Sequence, residues 1–206
     1  MSTPITTQRE GGFRCLEFPA RVPSKQYTAV VWLHGSGQRG TDLQAITKYG
    51  LPAALLGDRL SLQADAICPQ LDFDQEWEPT RTKTLLDSIR AEYQCSVLIG
   101  FSLGALGICD LLAEHGSCAN LNIAIAARTR KIVTVQQQGT RVLSISGERD
   151  IWPSLPEYLR RLRELGAEVE ETIIPNEGHY ISESALMHES SHRAFNSIGQ
   201  NLDWKN

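Results

Sequence analysis

Several features that define common function classes are scarce or missing in this 206-residue sequence. It has no uncharged apolar run of the roughly 20 residues that a membrane-spanning helix needs. Residues 1–8 lack the basic segment and apolar core of a signal peptide. No Lys/Arg-rich stripe marks a nucleic-acid surface, and the formal net charge of −4 is small. We therefore expect neither a membrane nor a nucleic acid as a partner.

The five cysteines lack any pairing pattern. They are odd in number and widely scattered, and none forms a C-x-x-C pair, so the sequence predicts neither a disulfide framework nor a zinc site. Most lie in or beside apolar runs, where a reduced cysteine behaves as a small hydrophobic residue. His188 and His192 are four residues apart, but we interpret both as surface residues rather than metal ligands. A cytoplasmic protein without a bound metal is expected.

Apolar runs alternate with segments of helical periodicity, which is typical of βαβ units around a mostly parallel sheet. The predicted strands are 13–18, 28–33, 66–68 (ended by Pro69), 96–99, 121–126, 141–147 and 169–174. The predicted helices are 84–93, 103–113, 154–165 and a closing helix with Phe195, Ile198 and Leu202 on its core face. Ser154 and Glu157 match a capping box. One domain, 1–206, with helices on both faces of the sheet, is expected.

Gly100-Phe101-Ser102-Leu103-Gly104 is the most informative stretch of the chain. It follows a predicted strand and precedes a predicted buried helix, which is the setting of a nucleophile elbow. The serine of such a turn has a strained backbone, so the flanking positions must lack side chains that would collide with the strand and helix. The sequence therefore predicts Ser102 as a nucleophile.

Two more polar residues follow later strands, where parallel sheets bind their ligands. Asp150 follows the strand at 141–147, and His179 follows the last strand. Serine needs a base to accept its proton, and the base needs an anion that fixes its tautomer. We expect His179 to be the base and Asp150 the anion, with Glu148 as a rival for the second role.

The glycine-rich segment His34-Gly35-Ser36-Gly37 follows the strand at 28–33. Attack on a carbonyl produces an oxyanion that needs two backbone N–H donors. We expect one from Leu103, the residue after the nucleophile, and the other from Ser36. His34 is interpreted as a structural residue that holds this loop.

Three aromatic residues follow strands or adjoin the expected catalytic positions. Trp77, Trp152 and Tyr180 are candidates to line an acyl pocket. For Trp152, core packing is the alternative interpretation.

Taken together, residues 33–42, Cys68-Pro69-Gln70 with Trp77, and the segment at 100–104 resemble the α/β-hydrolase superfamily. Within it, they are similar to the small carboxylesterase (phospholipase/carboxylesterase) and predicted-peptidase groups. The resemblance covers about residues 28–180. It implies the α/β-hydrolase fold and a serine hydrolase without a cofactor that acts on esters, thioesters or occasionally amides.

Two features depart from the family pattern. The elbow ends in Gly104-Ala105 where relatives often have two glycines, and the segment after the strand at 121–126 is too short for the lid that many relatives carry. We expect an open cleft without a lid domain.

The sequence thus predicts a serine hydrolase that cleaves small esters or thioesters through an acyl-enzyme. A peptidase or amidase of the same fold, and a non-catalytic binding protein, are the alternatives.

Overall fold

The computed structural model describes residues 3–20 and 27–200, and the backbone of 202–204. The strands are β1 (Ile5–Arg9), β2 (Phe13–Phe18), β3 (Thr28–Leu33), β4 (Leu60–Leu62), β5 (Asp65–Gln70), β6 (Cys95–Phe101), β7 (Leu121–Ile125), β8 (Arg141–Gly147), β9 (Glu168–Ile174) and β10 (Leu202–Trp204). The helices are α1 (Gly50–Leu56), α2 (Pro79–Glu92), α3 (Leu103–His115), α4 (Leu155–Glu164), α5 (Ser182–Met187) and α6 (Glu189–Asn196). Among the described helices, none has the length and apolar character needed to cross a bilayer.

One eight-stranded sheet runs in the order β1-β2-β5-β3-β6-β7-β8-β9. Strand β2 is antiparallel to both of its neighbours, and every other pair in this sheet is parallel. Strands β3 and β6 are adjacent, and Leu33 pairs with Gly100. The loops that follow these two strands therefore begin side by side. The predicted mostly parallel sheet is confirmed.

Helices cover both faces of this sheet, as predicted. Successive side chains of a strand point to opposite faces. Ala29, Val31 and Leu33 of β3 join a core cluster with α2, α3 and α4. Val30 and Trp32 join the cluster with α1, α5 and α6 on the other face. The central strand is thus buried on both sides, which explains its continuous apolar sequence.

Strand β5 corrects the expected stop at Pro69, because the strand continues to Gln70. Pro69 pairs with Cys15 of antiparallel β2. On its other side, β5 pairs with β3 only as far as Ile67. A proline has no N–H for a ladder, and Pro69 lies beyond the part of β5 that needs donors on both sides.

Helix α2 begins at Pro79, five residues before the predicted start. The Glu78 carboxylate accepts hydrogen bonds from the backbone N–H groups of Thr80 and Arg81, at 3.0 and 2.6 Å. Proline suits the first helical position, where no intrahelical N–H bond is made. The apolar periodicity that guided the prediction starts only after this polar first turn.

The predicted capping box at Ser154 is wrong. The Ser154 hydroxyl accepts a hydrogen bond from Thr129 Oγ1 at 2.9 Å and caps no helix N–H. The Glu157 carboxylate instead accepts from Arg160 within α4, at 2.9 Å. Ser154 makes a tertiary contact and Glu157 makes an exposed ion pair, so neither side chain caps α4.

The closing helix is also shorter than predicted. Helix α6 ends at Asn196, and Gly199 has a left-handed φ of 73° that does not continue a helix. Leu202 instead pairs with Leu62 in the small β4–β10 sheet. Phe195 is buried in the core as expected, and the side chain of Leu202 lies outside the described part of the chain.

The segment between β7 and β8, residues 126–140, is fully described and contains neither helix nor strand. It packs on the body of the protein through buried Val133 and Gln137. The Gln137 side-chain amide donates to Leu112 O at 2.7 Å. The prediction of no lid domain is confirmed for this segment.

All five cysteines are buried, as their apolar surroundings predict. Burial raises the pKa of Cys15 and of Cys109 to about 12. These two thiols therefore stay protonated at neutral pH and are poor nucleophiles.

Two glycines allow α3 to pack against the ends of β3 and β6. A Cβ atom on Gly100 would lie 2.4 Å from the carbonyl carbon and oxygen of Gly104. A Cβ on Gly104 would lie 1.9 Å from the carbonyl oxygen of Leu33. These obstacles are backbone atoms, which cannot rotate away, so the steric reason inferred for both glycines is confirmed.

We expect Gly104→Ala to lower the free energy of unfolding by at least about 3 kcal/mol, because α3 must shift away from β3. Urea unfolding measures this change. Gly178→Ala is the matched control, since no atom lies within 4 Å of its added Cβ, and its stability should change by less than about 1 kcal/mol. Equal stability of the two variants would contradict the packing described here.

Candidate active site

Ser102 lies between β6 and α3 with φ 53° and ψ −107°. A residue other than glycine adopts such a backbone at a cost of about 1–3 kcal/mol. Its N–H donates to Ile125 O at 2.9 Å, and its carbonyl accepts from the Leu106 N–H at 2.9 Å. Hydrogen bonds on both sides thus hold the strained backbone in place.

His179 connects the other two residues of the predicted triad. Its Nε2 lies 2.8 Å from Ser102 Oγ, and its Nδ1 lies 2.5 Å from Asp150 Oδ2. A carboxylate only accepts hydrogen bonds, so Nδ1 carries the proton and Nε2 is free to accept from the serine hydroxyl. The His179 and Asp150 side chains are 23% and 14% exposed. The arrangement can therefore remove a proton from Ser102 in partial shelter from water.

The loops after β8 and β9 bring Asp150 beside His179. A Cβ on Gly147, at the end of β8, would lie 2.3 Å from Gly178 O, so the two loops are in direct backbone contact. The rival acid Glu148 points elsewhere, and its carboxylate accepts from the Asn176 N–H at 2.8 Å. Of the two acids considered, only Asp150 contacts the imidazole.

The two backbone amides predicted to bind an oxyanion lie at adjoining strand ends. Leu103 is the first residue of α3, and Ser36 begins a single 3₁₀ turn after β3. Gly104 touches the carbonyl of Leu33, so these two segments are in contact. Neither amide hydrogen-bonds to another residue in the described part of the chain. Two unpaired N–H donors therefore lie in adjoining segments, at the ends of β3 and β6, where oxyanion binding would require them.

His34 supports this loop from beneath and is fully buried. Its Nδ1 lies 2.8 Å from Gly35 O, and its Nε2 accepts from the Leu71 N–H at 3.0 Å. Both bonds require a neutral ring with the proton on Nδ1. Burial lowers the pKa of His34 to about 4, so the ring is neutral at physiological pH. The structural role expected for His34 agrees with these contacts.

Trp77 does not line the cleft, which corrects the expectation for this residue. It is 1% exposed and lies beneath the loop, where its Nε1–H donates to His34 O at 3.1 Å. A Cβ on Gly107 of α3 would lie 2.4 Å from Trp77 Cβ, so the helix packs directly against it. The large apolar ring fills the core under the oxyanion loop.

Trp152 and Tyr180 are both exposed and follow Asp150 and His179 closely in sequence. Tyr180 is 89% exposed, and its ring meets that of His179 edge-on with centroids 5.5 Å apart. Trp152 is 37% exposed and stacks under the Arg128 guanidinium, 3.9 Å from the ring centroid. Tyr180 touches the triad, whereas the contact of Trp152 is with Arg128.

Two further aromatic residues reach this region without having been predicted. The ring of Phe101 lies 5.5 Å from that of His179, and Tyr49 packs edge-on against Phe101 at 5.9 Å. Phe101 occupies the variable position before Ser102 in the elbow, so the motif itself indicates that its side chain lies near the candidate site. Tyr49 comes from a separate segment before α1, and no sequence signal links it to Ser102.

Comparison with solved structures places these features in a known architecture. The chain is similar to a thermostable esterase with a TM-score of 0.64 and 17% identity, covering 97% of this chain and 63% of that protein. It is also similar to a carboxylesterase from Mesorhizobium loti, with a TM-score of 0.63 and 18% identity, covering 89% and 95% of the two chains. The chain has the α/β-hydrolase fold. A phospholipase/carboxylesterase from Dyadobacter fermentans matches with a TM-score of 0.57 and 18% identity, covering 91% and 96%.

The fold of this chain resembles that of small carboxylesterases, as the motifs at residues 33–42 and 100–104 predict. The chain spans less than two thirds of the thermostable esterase and nearly the full length of the other two proteins. No family model matches the sequence, and no curated protein matches it. Because one fold serves many reactions, the activity has to be argued from the site.

Residues 188–192 read His-Glu-Ser-Ser-His, which matches the helical zinc motif including its glutamate. His188, however, precedes α6 with an extended backbone, and its Nδ1 lies 2.9 Å from Ser190 Oγ. The two histidines therefore do not share one helix face. Within the described residues, no three His, Cys, Asp or Glu side chains are placed to hold a metal ion.

The buried neutral His34 makes stability depend on pH. The unfolded chain takes up a proton near pH 6.5, and the folded ring only near 4. Stability present above pH 6.5 is therefore lost as the pH falls toward 4, by about 2 kcal/mol between pH 7 and pH 5. Urea unfolding at both values, on wild type and His34→Gln, measures this loss.

The glutamine variant has no titrating ring, so its loss over the same interval should be smaller by about 2 kcal/mol. Identical pH dependence in the two proteins would contradict the buried neutral state of His34.

Proposed function

We propose that this protein is a serine hydrolase that cleaves small carboxylic esters or thioesters through an acyl-enzyme on Ser102. The observation that carries the proposal is the hydrogen-bonded chain from Ser102 Oγ through His179 to Asp150. The unpaired amides of Ser36 and Leu103, at the adjoining ends of β3 and β6, support it. The similar structures are named as esterases and carboxylesterases, which favours esters as the substrate class.

In acylation, Ser102 Oγ attacks the carbonyl carbon while His179 Nε2 takes the hydroxyl proton. Asp150 stabilises the imidazolium that forms and keeps its orientation. The carbonyl oxygen becomes an oxyanion that accepts hydrogen bonds from the Ser36 and Leu103 amides. When the carbonyl re-forms, the bond to the leaving group breaks, and His179 returns the proton to the departing alcohol or thiol.

Deacylation repeats these steps with water as the nucleophile. His179 Nε2 takes a proton from water as it attacks the acyl carbon, and the same amides hold the second oxyanion. Collapse of this intermediate releases the carboxylic acid and returns the proton to Ser102. Every proton and charge is handled by groups of this chain, so the proposed mechanism uses no cofactor.

The exposed Tyr180 and Trp152 are proposed to contact the substrate at the rim of the cleft. The segment 126–140 carries no lid helix, which supports a cleft open to small dissolved substrates. The cytoplasmic location stays a prediction.

We expect Ser102→Ala to lower kcat for p-nitrophenyl acetate by about 10⁴–10⁶-fold, because the nucleophile is lost. Asp150→Asn should lower it by about 10⁴-fold, since the imidazole is then held in the wrong tautomer. Glu148→Gln is the matched control from the same loop and should stay within about 2-fold of wild type. Steady-state kinetics on purified, folded variants measure all three. A Glu148 variant as impaired as Asp150→Asn would contradict the assignment of the acid.

Esters and amides differ in the leaving group that His179 must protonate. We expect turnover of p-nitrophenyl acetate and no measurable turnover of p-nitroacetanilide, which carries the same acyl group. Comparable rates on both compounds would favour the peptidase or amidase alternative. Inactivity on both, together with inertness toward serine-directed reagents, would favour a binding protein.

A further inference from the structure

The phenol of Tyr49 lies over the glycine-rich turn that follows β3. A Cβ on Gly37 would lie 3.2 Å from Tyr49 Oη, and one on Gly35 would lie 3.5 Å from it. These two glycines flank Ser36, whose amide is a proposed oxyanion donor. The hydroxyl therefore lies in contact with the backbone that would bind the acyl oxygen.

The other neighbours of Tyr49 belong to the same cleft. Its ring packs edge-on against Phe101, and Phe101 in turn packs against His179. Burial, and to a lesser extent the nearby Tyr180, raise the pKa of Tyr49. The phenol is therefore protonated at neutral pH and available as a hydrogen-bond donor.

The Tyr49 hydroxyl has no hydrogen-bond partner among residues 3–20 and 27–200. The hydroxyls of the two buried tyrosines, in contrast, have partners. The Tyr93 hydroxyl donates to Asp65 at 2.9 Å, and the Tyr158 hydroxyl donates to Cys109 O at 2.6 Å. Tyr49 is only partly buried, and its hydroxyl is not among the fully buried polar atoms that lack a partner. An accessible, unpaired donor beside the candidate oxyanion site is available to a bound ligand.

The main chain at Tyr49 is held in place. The buried Gln38 side-chain amide donates to Ile46 O at 2.7 Å and to Tyr49 O at 3.2 Å. The next residue, Gly50, has φ 74° and packs so closely on Trp32 that a Cβ would lie 2.3 Å from the indole. The backbone of Tyr49 is thus fixed, and the edge-on packing of its ring on Phe101 restrains the side chain before any substrate binds.

We propose that Tyr49 Oη donates a hydrogen bond to the acyl oxygen of the substrate, as a third donor beside the two amides. This inference rests on the serine hydrolase function proposed above. The phenol keeps its proton throughout, and no bond to Tyr49 forms or breaks. Because negative charge develops on the acyl oxygen only as Ser102 attacks, the added hydrogen bond strengthens in the transition state.

Tyr49→Phe should lower kcat for p-nitrophenyl acetate by about 10²-fold, with KM within about 2-fold of wild type. A trifluoromethyl ketone provides a second readout, because Ser102 Oγ adds to its carbonyl carbon and leaves an oxyanion. Its affinity should fall by the same factor as kcat/KM. Tyr27→Phe, at the opposite end of β3, is the matched control and should retain wild-type kinetics.

Gly37→Ala tests the position of the phenol without removing it. The new Cβ would lie 3.2 Å from Tyr49 Oη, so the phenol must shift by a few tenths of an ångström, and we expect a modest fall in kcat. In the Tyr49→Phe background the same change should have little further effect, because no hydroxyl remains to be displaced.

Wild-type kcat in a folded Tyr49→Phe variant would overturn the role of Tyr49 and leave the serine mechanism intact. A reduced kcat with unchanged ketone affinity would also overturn it, since it would show a structural role alone. If instead the wild-type protein neither turns over the ester nor binds the ketone, the proposed function itself is wrong.

Discussion

The strained turn at Ser102 is the constraint on which the candidate site depends. A backbone at φ 53° and ψ −107° lifts the serine out of both the strand and the helix, so that its hydroxyl meets the loops of other strands. The turn persists because β6, β7 and α3 hold it through hydrogen bonds and through close packing at Gly100 and Gly104. The same packing sets the first amide of α3 against the end of β3, so one steric arrangement positions both the proposed nucleophile and its proposed oxyanion donors.

Buried polar side chains hold the loop that follows β3. His34 bonds two backbone groups, and the Gln70 side-chain amide donates to Asp42 O at 2.7 Å and to Gln38 O at 3.2 Å. Loop carbonyls that would otherwise be buried without donors are thereby satisfied. Gln38, which follows the glycine-rich segment, is buried for the same reason, because its side-chain amide donates to the carbonyls of Ile46 and Tyr49.

Much of the site could be predicted from order along the chain, because parallel strands end at the same edge. Ser102, Asp150 and His179 each follow a strand, and that is enough to expect them together. Contacts made by distant segments could not be predicted in this way. The burial of Trp77 depends on how closely α3 approaches at Gly107, and the position of Tyr49 depends on how α1 begins. Predictions from local motifs were wrong where a tertiary contact replaced the expected local hydrogen bond, as at Ser154.

We propose that His179 and Asp150 activate the Ser102 hydroxyl for attack. Reaction of the folded protein with diisopropyl fluorophosphate, followed by intact-mass measurement and peptide mapping, tests it most directly. The account predicts one diisopropylphosphoryl group, carried by the peptide that contains Ser102. An adduct on another residue, or a folded protein that does not react, would contradict the account.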